Sequence, residues 1–508
     1  MKTVADLIER NEFCYPDRDA IVHGTRRVTY AQYARRSRQL GSALHRIGVR
    51  QQDRVGIFST NNIEYFEAYG ACEWSGFILA LYNFRSAAPE VVHLLTDSAP
   101  SVVLFEAGFT ELIDGVRNRF PDITWVCVGG DAPDWALAYE ALIRKGDPAG
   151  PPFRATPEHY VYLFYTSGTT GKPKGVPWDH AGVLISTQET GRNQGHDVCW
   201  LQISPAFHVG GKFFMMGTMW MGGTSVLMSS FDPEIFLGIV EAERITHTFM
   251  VPMMMQTVMA HPQFSKERVK SLRSVMAAST AIPVPLLKQA IEAFGPVFFV
   301  AYGSTESGNV GELPKHELNP YGDEQTIKRL GSVGHLVPES GAVLLDDDGN
   351  ICPPGKVGEV CVPPRYFRQY WNNSVATIEA LRFGYFHTGD LGIMDDQGYL
   401  YLVDRKKDMI ISGGENIYSR EVEDALSTNP AVQSVAVVGK PNEKWGEVVK
   451  AFVVLKPGHS TNEHTLIAHC QTQIARFKAP KEIEFLDTMP LLGTGKIDKV
   501  SLRKRGSA

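Results

Sequence analysis

The sequence predicts an α/β fold, in which a large N-terminal domain of doubly wound sheets with a small β-rich subdomain precedes a smaller, mobile α+β C-terminal lid domain. In the first half, amphipathic helical segments alternate with short apolar runs, as in residues 31–47 followed by 54–58 and 65–77 followed by 78–82. Strands separated by amphipathic helices favour parallel sheets covered on both faces. A chain of 508 residues also exceeds what one hydrophobic core normally serves, so at least two domains are expected.

The pattern changes after residue 330. Short apolar runs and tight turns, such as those at 347–350 and 395–398, predict a mostly antiparallel subdomain over 330–404. The last hundred or so residues contain their own predicted helices and strands, which is enough to fold as a separate lid. We place the boundary at the charged run Asp404–Asp408, which gives an N-terminal domain over 1–404 and a lid over 405–508.

Composition excludes several classes of protein. Apolar residues make up 44% and charged residues 21% of the chain, which is typical of a globular protein, and the net charge of −6 gives no reason to expect a nucleic-acid partner. The 7 cysteines include no C-x-x-C pair, and the N-terminus lacks an apolar signal segment, so we expect a reduced, cytoplasmic protein. The apolar stretch 213–228 is broken by glycines and threonines, and we interpret it as buried core rather than as a membrane span.

The most distinctive local feature is the loop 165–175, which directly follows an apolar run. It contains three glycines and four hydroxyl side chains, together with Lys172 and Lys174. Backbone N–H groups and hydroxyls of such a loop can approach phosphate oxygens while the lysines supply countercharge. It is not a Walker A motif, because a proline follows Lys172. A glycine- and threonine-rich hairpin between two strands is the alternative.

The loop 165–175 resembles the signature loop of the adenylate-forming superfamily, which contains acyl-CoA synthetases, luciferases and peptide-synthetase adenylation domains. Further motifs that resemble this family follow in the expected order along essentially the whole chain, at 205–211, 277–283, 301–307, 387–390, 404–408, 411–417 and 490–499. The segment 277–283 departs from the family pattern, because the usual Gly-Gly-Ala is replaced. The resemblance implies that the substrates are a carboxylic acid, ATP and coenzyme A, with Mg²⁺ as cofactor.

The resemblance also implies roles for individual residues. Tyr302 would stack on adenine, Thr305 would meet the α-phosphate, and Asp390 and Arg405 would reach the ribose. The implied nucleotide- and CoA-binding set is Thr166, Ser167, Gly168, Thr169, Thr170, Lys174, Ser279, Thr280, Ala301, Tyr302, Gly303, Ser304, Thr305, Asp390, Arg405, Gly413, Gly414 and Glu415. The implied catalytic set is Lys496, Glu306, His208 and Thr305. Glu306 and Thr166 would hold magnesium, which prefers oxygen ligands and usually takes one or two carboxylates plus phosphates.

The predicted lid suggests a two-step mechanism. The resemblance assigns Lys496 to the phosphorus under attack, where an ammonium group offsets developing negative charge. Rotation about a hinge at Lys407 would then withdraw Lys496 and bring Gly413 and Gly414 to the path of the CoA thiol. Adjacent glycines allow close approach of a slender ligand, and with Glu415 they are similar to the CoA-dependent branch of the family.

The acid itself is less well defined by the sequence. The region expected to wall the acyl pocket is rich in soft apolar residues: Met215, Met216, Met219, Met250, Met253, Met254, Met255, Met276, Phe213, Phe214 and Phe249. Methionine adapts to irregular or flat ligands, so a medium-chain or aromatic acid is expected, with core filling as the alternative. Lys212 stands where we expect an apolar residue. We interpret it as solvent-exposed rather than as a contact for a second anionic group of the substrate.

Three other functions are compatible with the motifs. The first is a stand-alone adenylation enzyme that loads a carrier protein, although no carrier segment follows the lid in this sequence. The second is an oxidative enzyme of the luciferase type. The third is a nucleotide-binding regulator without chemistry, which the combination of Lys496, Glu306 and Asp390 disfavours. We expect no stable membrane insertion, and the oligomeric state stays open, with a homodimer as one alternative.

Overall fold

The computed structural model describes residues 1–166, 172–277, 282, 284–491 and 497–506. These residues fall into two compact units. The first comprises 1–340 and 363–386, and the second comprises 341–362 and 387–508.

To residue 340, helices and strands alternate along most of the chain. In order they are α1 (Val4–Cys14), β1 (Asp19–His23), β2 (Arg26–Thr29), α2 (Tyr30–Arg46), β3 (Arg54–Phe58), α3 (Ile63–Ser75), β4 (Ile78–Leu81), α4 (Ala88–Ser98), β5 (Val102–Glu106), α5 (Thr110–Arg117), β6 (Thr124–Val128), β7 (Leu137–Ala138), α6 (Tyr139–Ile143), β8 (Tyr160–Thr166), β9 (Lys174–Asp179), α7 (His180–Gln194), β10 (Cys199–Gln202), α8 (Val209–Trp220), β11 (Thr224–Leu227), α9 (Pro233–Ala242), β12 (His247–Met250), α10 (Pro252–Ala260), β13 (Ser274–Ala277), α11 (Val284–Phe294), β14 (Phe298–Ser304), β15 (Gly308–Leu313), α12 (Glu324–Arg329) and β16 (His335–Leu336).

From residue 341 the elements are mainly short strands. They are β17 (Val343–Leu345), β18 (Val357–Val362), α13 (Ser374–Ala380), β19 (Leu381–Arg382), β20 (Tyr385–Met394), β21 (Leu400–Arg405), β22 (Ile410–Ser412), β23 (Glu415–Ile417), α14 (Ser419–Ser427), β24 (Val432–Asn442), β25 (Gly446–Leu455), α15 (Glu463–Gln473), β26 (Glu482–Phe485) and α16 (Lys499–Gly506).

The first unit is built on two mostly parallel sheets. One runs β16-β15-β14-β13-β12-β10-β11-β1-β2, and the other runs β7-β6-β5-β3-β4-β8-β9. Strand β4 is buried along its whole length, as expected for a strand covered on both faces. The helices have local start and stop signals. Helix α3, for example, begins at Asn62, whose side chain accepts from the backbone N–H of Tyr65, and ends at Gly76 with φ of 72°.

The second unit contains antiparallel strand pairs and a sheet on which helices pack. Strands β17 and β18 pair antiparallel, as do the C-terminal part of β20 and β21. A separate sheet runs β23-β22-β25-β24, with β26 parallel to β25. Its core is aliphatic, and helices α14 and α15 pack on it through Val422, Leu426, Leu466 and Cys470.

The predicted α/β fold class is confirmed, and the predicted helix over 31–47 and strand over 54–58 correspond to α2 and β3. The stretch 213–228 forms most of α8 and strand β11, and Met215, Met216 and Met219 are buried in it. Within the described residues, no helix combines the length and apolarity that crossing a membrane requires. The domain boundary after Asp404 stays a prediction.

Candidate active site

The carboxyl ends of several parallel strands meet at one edge of the nine-stranded sheet. Strands β10, β12, β13 and β14 are adjacent and parallel, with Met250 paired to Ala277 at the ends of β12 and β13. Ligands of open α/β sheets bind at such an edge. The chain that follows these strands carries His208 after β10 and the segment 302–306 at the end of β14. We therefore take this edge as the candidate active site.

The predicted phosphate loop leaves from a hairpin of the seven-stranded sheet. Thr166 and Lys174 are the last paired residues of the antiparallel strands β8 and β9, so the loop between them starts and returns at one point. The hydroxyl of Tyr165 donates to Asp97 Oδ2 at 2.7 Å and fixes the outgoing strand. The predicted residues Ser167, Gly168, Thr169 and Thr170 lie outside the described residues.

An aromatic side chain joins this hairpin to the end of β14. The ring of Tyr370 lies 4.2 Å from Lys174 Nζ, measured to the ring centroid, and its hydroxyl donates to Glu306 Oε1 at 3.0 Å. The indole N–H of Trp178, on β9, donates to the carbonyl oxygen of Thr305 at 3.0 Å. The structure thus brings Lys174, Thr305 and Glu306 together. Neither Tyr370 nor Trp178 belongs to the predicted set of site residues. Only their aromatic, hydrogen-bonding character could have indicated a role in the site.

The turn that carries Thr305 and Glu306 is closed by its own hydroxyls. The backbone N–H of Ser304 donates to Ser307 Oγ at 2.9 Å, and the N–H of Ser307 donates to Ser304 Oγ at 3.1 Å. Gly303 precedes this turn, and a Cβ there would lie 2.0 Å from the carbonyl oxygen of Gly308. Gly303 is therefore explained by the close approach of β15 to β14. Of the remaining predicted residues here, Tyr302 and Ala301 lie on β14 and are half-buried.

His208 is the N-cap residue of α8. Its Nδ1 accepts from the backbone N–H of Gly210 at 3.2 Å, and the side chain is exposed. The chain just before it is held by α3 and the residues preceding α3, because the hydroxyl of Tyr69 donates to the carbonyl oxygen of Ala206 and Asn61 Oδ1 accepts from the N–H of Ala206 at 2.7 Å. His208 is thus presented by a segment with fixed backbone.

The interpretation of Lys212 as solvent-exposed is wrong. Its side chain is 0% exposed and its Nζ lies 2.6 Å from Glu73 Oε1, whose side chain is also 0% exposed. Burial lowers the pKa of Lys212, which the adjacent carboxylate counteracts. A buried ammonium persists because it has a carboxylate partner, and that partner lies on α3, far away in the sequence.

A cluster of uncharged, largely aromatic side chains packs along the nine-stranded sheet, from Trp200 near the start of β10 to Val251 just after β12. Trp200 and Phe214 stack with ring centroids 4.7 Å apart and an interplanar angle of 7°. Its buried part comprises Val198, Trp200, Phe249 and Met276, and the residues that pack against it are partly buried: Phe214, Met221, Val251, Phe299 and Ala301. Most of the methionines that suggested an adaptable pocket are instead core filling, namely Met215, Met216, Met219, Met250 and Met255. The uncharged aromatic surface, rather than the methionines, is the better indication of the acid.

The second unit brings the two predicted ribose contacts together. Asp390 on β20 is opposite Arg405 on β21, and Arg405 Nε lies 2.6 Å from Asp390 Oδ1. The N–H of Asp390 donates to Thr388 Oγ1 at 3.1 Å. The turn therefore holds the backbone of Asp390, and its carboxylate is held by the arginine that is expected to share its ligand.

Glu359, which the sequence analysis missed, organises the same turn. Its carboxylate accepts from Gly389 N at 3.1 Å, contacts His387 Nδ1 at 3.0 Å and pairs with Lys406 Nζ at 3.2 Å. Burial acts to raise the pKa of Glu359, but the His387 hydrogen bond and the Lys406 charge outweigh it and the pKa is lowered. A local sequence motif could not have indicated this role of Glu359, because its partners lie about thirty to fifty positions further along the chain.

The predicted glycine turn of the lid is a hairpin between β22 and β23. Gly413 and Gly414 have φ of 63° and 88°, which L side chains rarely adopt, and Glu415 opens β23. A Cβ at Gly413 would lie 2.8 Å from Trp445 Cε3, whereas none of the described residues has an atom within 4 Å of a Cβ at Gly414. The close approach at Gly413 is thus to a tryptophan of the same unit.

The predicted hinge lies next to an ion pair. Asp408, adjacent to Lys407, pairs with Arg503 of α16. The remaining predicted site residues, Ser279, Thr280 and Lys496, lie outside the described residues.

Comparison with known proteins accounts for nearly the whole chain. The family model for AMP-binding enzymes matches residues 8–371, and the model for the AMP-binding enzyme C-terminal domain matches residues 421–496. The indoleacetate–CoA ligase of Aromatoleum aromaticum is 35% identical, over 99% of this chain and 98% of its own length. The feruloyl-CoA synthase of an Amycolatopsis species is 35% identical, over 96% of each chain.

A solved structure shows the same fold. The anthranilate CoA ligase AuaEII, crystallised with anthranoyl-AMP, superposes with a TM-score of 0.89 at 27% identity, covering 99% of this chain and 97% of that chain.

Proposed function

We propose that this chain, which belongs to the AMP-binding enzyme family, converts an aromatic monocarboxylic acid into its CoA thioester. The general reaction is that of an AMP-forming acid:CoA ligase, which uses ATP, Mg²⁺ and coenzyme A. The acid reacts first with ATP to give an acyl-adenylate and pyrophosphate, and the thiol of CoA then displaces AMP. The finer assignment of the acid is the proposal.

The stacked, uncharged cluster around Trp200, Phe214, Phe249 and Met276 is the observation that carries the aromatic assignment. Flat aromatic surfaces pack well against a flat aromatic ligand, and pockets for small molecules are mostly apolar with a few polar groups. The two curated relatives named above are a ligase for indoleacetate and a synthase for feruloyl-CoA, and the solved neighbour holds anthranoyl-AMP. All three names describe aromatic acids.

The position of Lys212 supports a single carboxylate on the substrate. Lys212 lies on the first turn of α8, two residues before Phe214, so the two side chains leave the helix about 200° apart. Because Lys212 is neutralised by Glu73 on the opposite face, it is not available to a second carboxylate beside the aromatic cluster. The second carboxylate of a dicarboxylic acid would therefore not be neutralised by Lys212.

Within the first reaction, we propose roles for residues of this chain from the family to which it belongs and, where the structure describes them, from their contacts. Lys174 and the loop that it closes would hold the phosphates, and Tyr302 would support the adenine. The side-chain oxygens of Glu306 and Thr166 are ligands of the kind that Mg²⁺ prefers. The ion, when bound, would offset phosphate charge. Tyr370 would orient the Glu306 carboxylate through its hydrogen bond. Lys496 would supply a positive charge to the phosphorus under attack.

The remaining assignments concern the ribose and the second reaction. Asp390 and Arg405 would hold the ribose hydroxyls, since a carboxylate in a turn can accept from both. His208 would lie at the acyl side of the sheet edge. Gly413, Gly414 and Glu415 would line the path of the CoA thiol after rotation at Lys407.

The test is a panel of acids supplied with ATP, Mg²⁺ and CoA. We expect pyrophosphate release and a CoA thioester, identified by mass spectrometry, with the largest kcat/KM for aryl monocarboxylic acids. Long-chain fatty acids and aromatic dicarboxylic acids are the comparison groups. The aromatic assignment would be wrong if either group were preferred, and the CoA-dependent assignment would be wrong if adenylate formed but no thioester appeared.

A further inference from the structure

A buried ion pair beneath the candidate acyl site has no role in the reaction described above. Lys212 Nζ lies 2.6 Å from Glu73 Oε1 with both side chains 0% exposed, and it lies 3.8 Å from the centroid of the Tyr69 ring. The hydroxyl of Tyr162 donates to the same carboxylate oxygen at 2.5 Å. The pair is therefore enclosed by α3, β8 and α8.

Stability alone does not account for this pair. Removing two charges from water is costly, and well-packed apolar residues of similar volume are often at least as stabilising as a buried ion pair. The second carboxylate oxygen, Glu73 Oε2, has no hydrogen-bond partner among the described residues. What a charge pair offers over an apolar contact is a defined relative position of the two elements that carry it.

The two elements are α3 and the start of α8. Lys212 is one helical turn after His208, and its backbone N–H donates to the carbonyl oxygen of His208 at 3.2 Å. On the other side of His208, Tyr69 of α3 donates to the carbonyl oxygen of Ala206. The segment that presents His208 is thus fixed to α3 from both directions.

We propose that Lys212 is a positioning residue, which acts through the Glu73 pair to hold His208 and the aromatic face of α8 at the acyl side of the active site. This inference rests on the proposed function of that site. The side chain of Lys212 contacts no substrate. Its effect is to fix where α8 begins, so that His208 lies at the edge at which β10, β12 and β14 end and Phe214 stacks on Trp200.

The double variant K212M/E73Q tests the proposal, because it removes both charges and leaves no unpaired buried ion. Glutamine keeps an oxygen that can accept from Tyr162, and methionine keeps the length of the lysine stem. With the acid that the wild-type enzyme uses best, we expect kcat/KM for the acid to fall about tenfold or more, with little change in KM for ATP. Wild-type turnover of the acid panel tests the proposed function separately.

A double-mutant cycle with H208A separates positioning from a general loss of structure. If Lys212 acts through His208, adding H208A to K212M/E73Q will cost much less than H208A costs in the wild type. Additive losses, or an unchanged kcat/KM in K212M/E73Q, would overturn the proposal.

The matched control is R36M/E67Q. Glu67 also lies on α3 with a side chain that is 0% exposed. It pairs with Arg36 of α2, whose ion-pair partners among the described residues are Glu67 and Glu140. We expect this variant to lower the melting temperature without changing KM for the acid. An equal effect of both double variants on kcat/KM for the acid would contradict the proposal.

A milder variant covers the case in which K212M/E73Q fails to fold. Y69F removes only the hydroxyl that donates to Ala206, which lies on the other side of His208. We expect Y69F to raise KM for the acid several-fold, again without additivity to H208A. Wild-type kinetics in Y69F would contradict the inference that the segment presenting His208 must be fixed to α3.

Discussion

At the scale of single residues, Tyr370 joins parts of the candidate nucleotide site that are distant in sequence. Its ring contacts the Lys174 ammonium and its hydroxyl donates to Glu306. Replacing a residue that orients a metal-binding carboxylate commonly lowers the metal affinity by a large factor. The hydroxyl and the ring can be tested separately, because phenylalanine keeps the ring.

Y370F is expected to raise the Mg²⁺ concentration needed for half-maximal pyrophosphate release by about tenfold, because Glu306 loses the donor that orients it. The free energy of unfolding should fall by only about 1 kcal/mol, the usual value of one hydrogen bond. The control is Y321F, which removes a similar hydroxyl donated to Glu292 at 2.9 Å on the surface. Equal Mg²⁺ dependence of Y370F and Y321F would contradict the assignment.

At the scale of elements, the hairpin β14–β15 fixes the turn that carries Thr305 and Glu306. The two strands approach most closely at Gly303, where a Cβ would lie 2.0 Å from a backbone oxygen of β15. A backbone atom cannot move aside as a flexible side chain can. The hairpin therefore depends on the absence of a side chain at this position.

G303A is expected to lower the free energy of unfolding by about 1–3 kcal/mol, as overpacking usually does, and to reduce adenylate formation because the turn shifts. G238A in α9 provides the contrast, since no atom of the part of the chain that the structure describes lies within 4 Å of a Cβ there. Alanine favours a helix over glycine by about 1 kcal/mol, so G238A should stabilise the protein. Denaturant unfolding measures both, and a harmless G303A would show that β14 and β15 can separate at little cost.

At the scale of the whole molecule, buried histidines make stability depend on pH. His180, the first residue of α7, accepts from the N–H of Val4 at 3.2 Å, and burial lowers its pKa to about 3. Burial likewise lowers the pKa of His247, in β12, to about 4. Both are neutral in the folded state. Below their unfolded pKa of about 6.5 the unfolded chain binds more protons, so stability is lost as the pH falls.

Between pH 7 and pH 5, one such histidine should cost about 2 kcal/mol of unfolding free energy. H180N removes the titrating group while an amide oxygen can still accept from Val4. We expect its loss of stability over this range to be smaller than that of the wild type by about that amount. H316N, at a side chain that is 77% exposed, should keep the wild-type dependence. Identical pH profiles of H180N and the wild type would contradict the assignment.

The sequence by itself determined the α/β fold class, the alternation of helices and strands at the start of the first unit, and the family. These follow from local information: periodicity, turn residues, and motifs such as 165–175 and 301–307 whose residues are contiguous. Only the tertiary structure decided which distant side chains meet. Lys212 is buried because Glu73, 139 positions earlier, neutralises it, and Glu306 is oriented by Tyr370, 64 positions later. A Cβ at Gly413 would lie 2.8 Å from Trp445 Cε3, 32 positions later. Whether a charge can be buried depends on its partner, and a one-dimensional pattern does not contain that partner's position in space.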